Sequence, residues 1–134
     1  MRITDHDLRD RILGAVGDPD SLRILSVIKV NPKDAQTIAS EIGVPLSSVY
    51  RKLAILRKAG LAFVKSFSIT PEGKRQVAYL SAITEIRVDT SGPEIGVELT
   101  PCGETARRVW FNLFNSQPAG QGKDSNASRE TSAL

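Results

Sequence analysis

Two periodic runs, each closed by a glycine, constrain this chain more than anything else in it. Asp34 precedes Ala35, Ile38 and Ile42 at helical spacing, and Gly43 ends that run. After Val44 and Pro45 a longer run covers 46–59 and stops at Gly60. Aspartate satisfies the free N–H groups at a helix start, and glycine adopts the left-handed conformation that ends one. The spacing therefore predicts an eight-residue helix, a tight turn beginning at Gly43 and a longer second helix. In that second helix Val49, Leu53 and Leu56 stand at i, i+4 and i+7 and turn inward, leaving Ser47, Ser48, Tyr50, Arg51, Lys52 and Lys58 outward. Two helices joined this way form the helix-turn-helix layout, whose second helix enters the DNA major groove by its N-terminal end.

Charge points the same way. The net +3 conceals three segments: 1–20 hold three Arg against five Asp, 21–80 hold ten Lys/Arg against three Asp/Glu, and 81–134 hold five against seven. A basic middle between acidic flanks suits a polyanion, nucleic acid first, although a solvated basic face without a partner gives the same count. One Cys and one His exclude a four-ligand structural metal site and an internal disulfide. No apolar run approaches the roughly 20 residues of a membrane-spanning helix, and the polar start at Met1 to Asp7 is unlike a signal peptide. A soluble cytoplasmic protein is expected. With 134 residues, a single modest core is expected as well.

Elsewhere the signals are shorter. Thr4, followed by Asp5 and Asp7, is placed to cap a one-sided helix of Leu8, Ile12, Ala15 and Val16 ending at Gly17. Asp18 and Pro19 open a second helix, nearly apolar all round, which Asn31 and Pro32 stop. Strand formers over 63–69 lead into Thr70-Pro71-Glu72-Gly73, suited to a type I turn, and on to 74–80. A helix beginning at Thr70 is the rival reading. The span between Gly60 and Thr70 is too short and too poor in turn formers for a hairpin of its own, so Thr70 to Gly73 must be the tip. Strands are then expected over 83–89 and 94–99, a helix over 104–114 and a disordered tail over 115–134. The fold class expected is α+β: a helix-turn-helix at 34–60, a basic hairpin wing at 61–80 and extra strands at 83–99, all within a domain spanning 1–100, then a C-terminal helix at 101–114.

The residues also carry a family likeness. Asp18-Pro19-Asp20-Ser21-Leu22-Arg23-Ile24-Leu25 resembles the D-P-x-R-L-R-I-L opening of ArsR-like winged-helix regulators. The run from Ile38 to Leu61 resembles their L-A-x-x-L-G-x-S-x-S-x-V-S-R-H-L-x-x-L-x-x-A-G-L without a gap. The hairpin followed by further strands looks more like the small archaeal members than the bacterial metal sensors. The likeness implies a winged helix-turn-helix that binds duplex DNA and regulates transcription; a homodimer is expected on a separate ground, because one recognition helix reads too few base pairs to select a site. A metal-sensing site is not implied, because 31–37 contain no Cys or His, and no cofactor is expected. Pro45 replaces the family's capping Ser, which leaves Ser47 to take over the cap.

On that reading Ser47, Ser48, Tyr50 and Arg51 face the groove. Arg51 is the candidate for a guanine contact, since its planar fork reaches O6 and N7 together; a phosphate contact is the plainer role. Lys52 and Lys58 are phosphate contacts or solvated charges. Lys74 and Arg75 reach the minor groove or a flanking phosphate, or merely solubilise the tip. For the dimer seam the candidates are Leu8, Ile12, Val109, Trp110, Leu113 and Phe114, the last four of which could equally fold onto the chain's own core. Asp5-His6-Asp7 reads as helix capping rather than a metal site, and Cys102 as an ordinary thiol. The sequence presents no base, nucleophile or metal constellation of an enzyme. The alternative to a DNA-binding regulator is a winged helix that binds another protein inside a larger assembly.

Overall fold

The computed structural model describes residues 1–104 together with Arg107 and Arg108. Asp5, one residue later than the expected Thr4, caps α1 (His6–Val16) by accepting from the Leu8 N–H at 2.9 Å. Leu8, Ile12 and Ala15 then line the buried face of α1. After Asp18, Pro19 sits at the first position of α2 (Pro19–Val27). This helix is one-sided rather than apolar all round: Ile24 and Leu25 are buried, while Leu22 remains 43% exposed. It also ends at Val27, ahead of Asn31 and Pro32.

The two-residue strand β1 (Lys33–Asp34) leads directly into α3 (Ala35–Ile42). Asp34 is both the end of the strand and the cap of the helix, accepting from the Thr37 N–H at 2.7 Å. That hydrogen bond is the main force holding its carboxyl below the ordinary 3.8, against the opposing push of burial. Gly43 closes α3 at φ 73°, a conformation that costs a side chain-bearing residue strain. After Val44 and Pro45, α4 (Leu46–Lys58) begins. Its buried Val49, Leu53 and Leu56 pack it against α1, α2 and α3.

Behind the helices, β2 (Ala62–Ile69) and β3 (Arg75–Ser81) form an antiparallel hairpin closed at the tip by Gly73 N–H donating to the Thr70 carbonyl at 2.8 Å. β1 pairs on the other side of β3, giving the order β1-β3-β2. At the end of β3 the chain passes through buried Ser81 and Ala82 into a second sheet of β4 (Ile83–Asp89) and β5 (Gly96–Pro101). Ser81 N–H donates to Ile28 and Ala82 N–H to Leu61, both at 2.9 Å, so the junction is fixed to α2 and to the end of α4. Met1 to Ile3 run beside β5: Met1 and Leu99 exchange backbone hydrogen bonds, and Ile3 N–H donates to Val97 at 2.9 Å. A helix-turn-helix backed by a projecting hairpin is a winged helix-turn-helix, here with an added sheet.

Leu8 and Ile12 belong to the chain's own core, Ile12 completely so, and must be withdrawn from the expected dimer seam. The amphipathic pattern that suggested a seam is the one any helix needs to pack on its own domain. Val109, Trp110, Leu113 and Phe114 lie outside the described residues, as does the expected tail over 115–134. No described helix is long and apolar enough to cross a membrane.

Candidate nucleic-acid interface

A buried stripe on a helix defines an opposite stripe. With Val49, Leu53 and Leu56 inward, a 3.6-residue period turns Ser47, Arg51, Ala54 and Lys58 away from the core, and all four are exposed. They follow one another at i, i+4, i+7 and i+11, a polar and basic ridge about 16 Å long at 1.5 Å per residue. The ridge begins at the free end of α4. Pro45 occupies the cap position without a side-chain acceptor, and Ser47 does not take over the cap as the sequence suggested. The Ser48 and Val49 N–H groups instead reach the Pro45 carbonyl at 3.0 and 3.1 Å. The Ser47 hydroxyl therefore has no hydrogen-bond partner among the described residues.

The flanks of α4 behave differently from the ridge. On one side Lys52 turns back to α2, where its Nζ lies 2.5 Å from Asp18 Oδ2 and only 14% of its side chain is exposed. The Ser21 hydroxyl donates to the same carboxylate oxygen at 2.8 Å. Those two hydrogen bonds, Lys52 first, hold the Asp18 carboxyl below its ordinary value, so the tie is complete above 3.8 and is lost as pH falls through the lowered value. Lys52 thus anchors the helix and is no longer a free phosphate contact. On the other side lie exposed Tyr50 and Arg57, both close enough to act electrostatically on Tyr79 of β3, whose phenol is pushed up chiefly by burial. Tyr79 joins the helix to the wing.

Along the wing, Lys74 occupies the tip and Arg75 opens β3 with its guanidinium 5.3 Å from the centre of the Phe67 ring. Lys65 is the extra residue where the pairing shifts between Val64 and Ser66. Between Glu41 and Glu85 the sequence holds one acid, Glu72. Among the described residues Arg51, Arg57, Lys58, Lys65, Lys74 and Arg75 have no carboxylate partner, and neither do Arg11 of α1 and Lys29, which follows α2. By contrast, Arg2, Arg9, Arg23, Lys33, Lys52 and Arg87 are each paired with one. Arg57 and Lys65 escaped the sequence reading. Arg57 stands seven residues after Tyr50, two turns along the same flank, and that spacing would have found it.

The remaining candidates sit away from this surface. His6 Nε2 lies 3.2 Å from Glu94, which also takes Arg9 at 3.3 Å, an exposed cluster tying α1 to the loop before β5. No group of three or more potential metal-binding side chains gathers among the described residues. Cys102 is half-buried, with its N–H donating to Ala82 at 2.9 Å.

No protein-family model matches the chain, and no curated protein matches it. Among solved structures, NolR from Sinorhizobium fredii is similar over 57% of this chain and 70% of its own, at 21% identity and a TM-score of 0.46. A winged helix-turn-helix DNA-binding domain from Mycobacterium bovis, homodimeric and described as a possible ArsR-family transcriptional regulator, is similar over 82% of this chain and 79% of its own. Its identity is 20% and its TM-score 0.46. Reduced HlyU from Vibrio cholerae follows at 14% identity and a TM-score of 0.39, over 83% and 92% of the two chains. The fold assignment rests on this chain's own element order and strand register.

Proposed function

We propose that the chain is a sequence-specific, duplex-DNA-binding regulator of transcription, with α4 in the major groove and the β2–β3 wing against the neighbouring backbone. The observation that carries this reading is the concentration of charge: between Glu41 and Glu85 the sequence holds one acid, and the cations of the α4 ridge and the wing stand there together without carboxylate partners among the described residues. Unpaired cations repel one another, and a phosphate backbone supplies the missing counter-charge. Ser47 and Arg51 are the base-facing residues in this arrangement, Ser48 and Tyr50 line its edges, and Lys58, Lys74 and Arg75 hold phosphates.

The test is a titration of the full chain against labelled duplexes at several salt concentrations. Tight, salt-dependent binding with a preferred sequence supports the reading, and absence of duplex binding at low salt overturns it. Replacing Lys74 and Arg75 together with Ala is expected to weaken every duplex alike and to reduce the log-log salt slope by about 1.8, at roughly 0.9 per lost phosphate contact. An unchanged slope places the wing off the DNA.

One recognition helix reads only a few base pairs, too little information to select a genomic site, so we further propose that two copies bind a palindrome with helices about 34 Å apart. With Leu8 and Ile12 spent in the core, the candidate seam reduces to Val109, Trp110, Leu113 and Phe114. Sedimentation at tens of micromolar is expected to give twice the chain mass. A monomer that still binds a palindrome tightly contradicts the pairing.

A further inference from the structure

The wing alternates in an unusual sense. Ser66, Ser68 and Gln76 lie on one face of the hairpin, and Phe67, Ile69 and Val77 on the other, as the pairs Phe67↔Val77, Ser68↔Gln76 and Ile69↔Arg75 require. That second face carries the pattern of a core-facing strand, yet Phe67 is 61% and Ile69 66% exposed. Two large apolar side chains in register at the end of a hairpin mark a surface that something covers. Its direction follows from β3, which pairs without interruption from Arg75 to Tyr79: Val77 and Tyr79 are two residues apart and share a face. Tyr79 is buried where Tyr50 and Arg57 of α4 act on it. The apolar face of the wing therefore runs along β3 to the buried Tyr79, on the side of the hairpin where Tyr50 and Arg57 of α4 act.

We propose that Phe67 and Ile69 form a wedge that enters the DNA minor groove beside the α4 site, partly unstacks a base step and kinks the duplex. The inference rests on the DNA-binding reading and adds deformation to it. Charge selects this occupant over an apolar protein surface, because Lys74 at the tip and Arg75, stacked over Phe67, frame the wedge with cations. A narrow minor groove is where duplex DNA is most negative, and apolar side chains inserted there open base steps and bend the helix by about 20–90°. The tip is braced for insertion. Thr70 N–H donates to Lys74 at 2.8 Å, Lys74 N–H to the Thr70 hydroxyl at 3.1 Å, and Gly73 supplies the positive φ of 85° that the turn requires. Pyrimidine–purine steps, which unstack at least cost, become the favoured insertion points.

The experiment uses the full chain at low salt and a 30-base-pair duplex with TA steps about one half-turn apart. The duplex carries a donor and an acceptor dye at its ends and 2-aminopurine beside one TA step. Bound protein is expected to bring the ends together and to brighten the 2-aminopurine. The double variant Phe67→Ser/Ile69→Ser keeps every cation, and both side chains are exposed, so its circular dichroism and salt slope are expected to match the parent. It is expected to leave the duplex straight and to bind about tenfold more weakly. Binding without bending, or bending that survives in the variant, overturns the wedge and leaves the DNA-binding reading standing. No binding of duplex by the parent overturns both. If the double substitution instead changes sedimentation or thermal stability, the face is covered by a second copy or by the chain's own further residues, and the wedge is wrong.

Discussion

Leu53→Ala is expected to destabilise the fold by about 2–5 kcal/mol, the range for removing a buried leucine side chain and leaving a cavity. Leu53 is 1% exposed at the middle of α4, between Val49 and Leu56 on the same face. Because α4 packs against α1, α2 and α3, these elements would have to move together to fill the gap, and partial collapse is the expected result. Small domains hold only about 5–15 kcal/mol in total, so this one change removes a large share. The urea midpoint should fall with an unchanged slope. Ala54→Ser, one residue along and on the outer ridge, is the matched control and should stay within about 0.5 kcal/mol. A Leu53→Ala variant that loses less than about 1 kcal/mol would mean that α4 is not fixed by its inner stripe. The outward direction assigned to Ser47, Arg51 and Lys58 would then fail with it.

The helix-turn-helix was legible in the sequence because its signals are local. Asp34, Gly43, Gly60 and the Val49/Leu53/Leu56 spacing act within a turn or two of where they stand, and the structure places α3 and α4 almost where those residues put them. The wing was legible for a related reason, since its turn chemistry lies in consecutive residues. What escaped depends on partners distant in sequence. β1 has two residues, too few for any periodicity, and exists because Lys33 and Asp34 meet Tyr79 and Ala78. Met1 to Ile3 carry no strand signal of their own and are ordered by β5. The inward turn of Lys52 could not be read from its helix, because the carboxylate that draws it there sits on Asp18. The amphipathic stripe of α1 said that Leu8 and Ile12 are covered without saying by what. Phe67 and Ile69 read as strand formers, and only the register shows that they share an uncovered face.

For the candidate site itself, Arg51→Ala is expected to cost about 1–3 kcal/mol on the preferred duplex, roughly 5- to 150-fold in affinity, and distinctly less on random duplex. Arg51 lies one turn after Ser47 on the outer ridge near the start of α4, the end that approaches base edges when a recognition helix enters the major groove. It has no ion pair among the described residues, so no internal contact must be broken before it can bind. A guanidinium offers two parallel donors in one plane, matching the paired acceptors of a guanine, and an ammonium does not. Arg51→Lys separates the two roles that a positive charge could play here. If Arg51 reads a base, the lysine variant should lose most of the discrimination between preferred and random duplex while keeping most of the salt slope. If Arg51 holds only a phosphate, lysine should restore both, and Arg51→Ala should weaken the two duplexes equally. In that second outcome α4 would still position the protein, and sequence preference would have to arise from Ser47, from the edges of the ridge, or from how readily the duplex deforms under the wing.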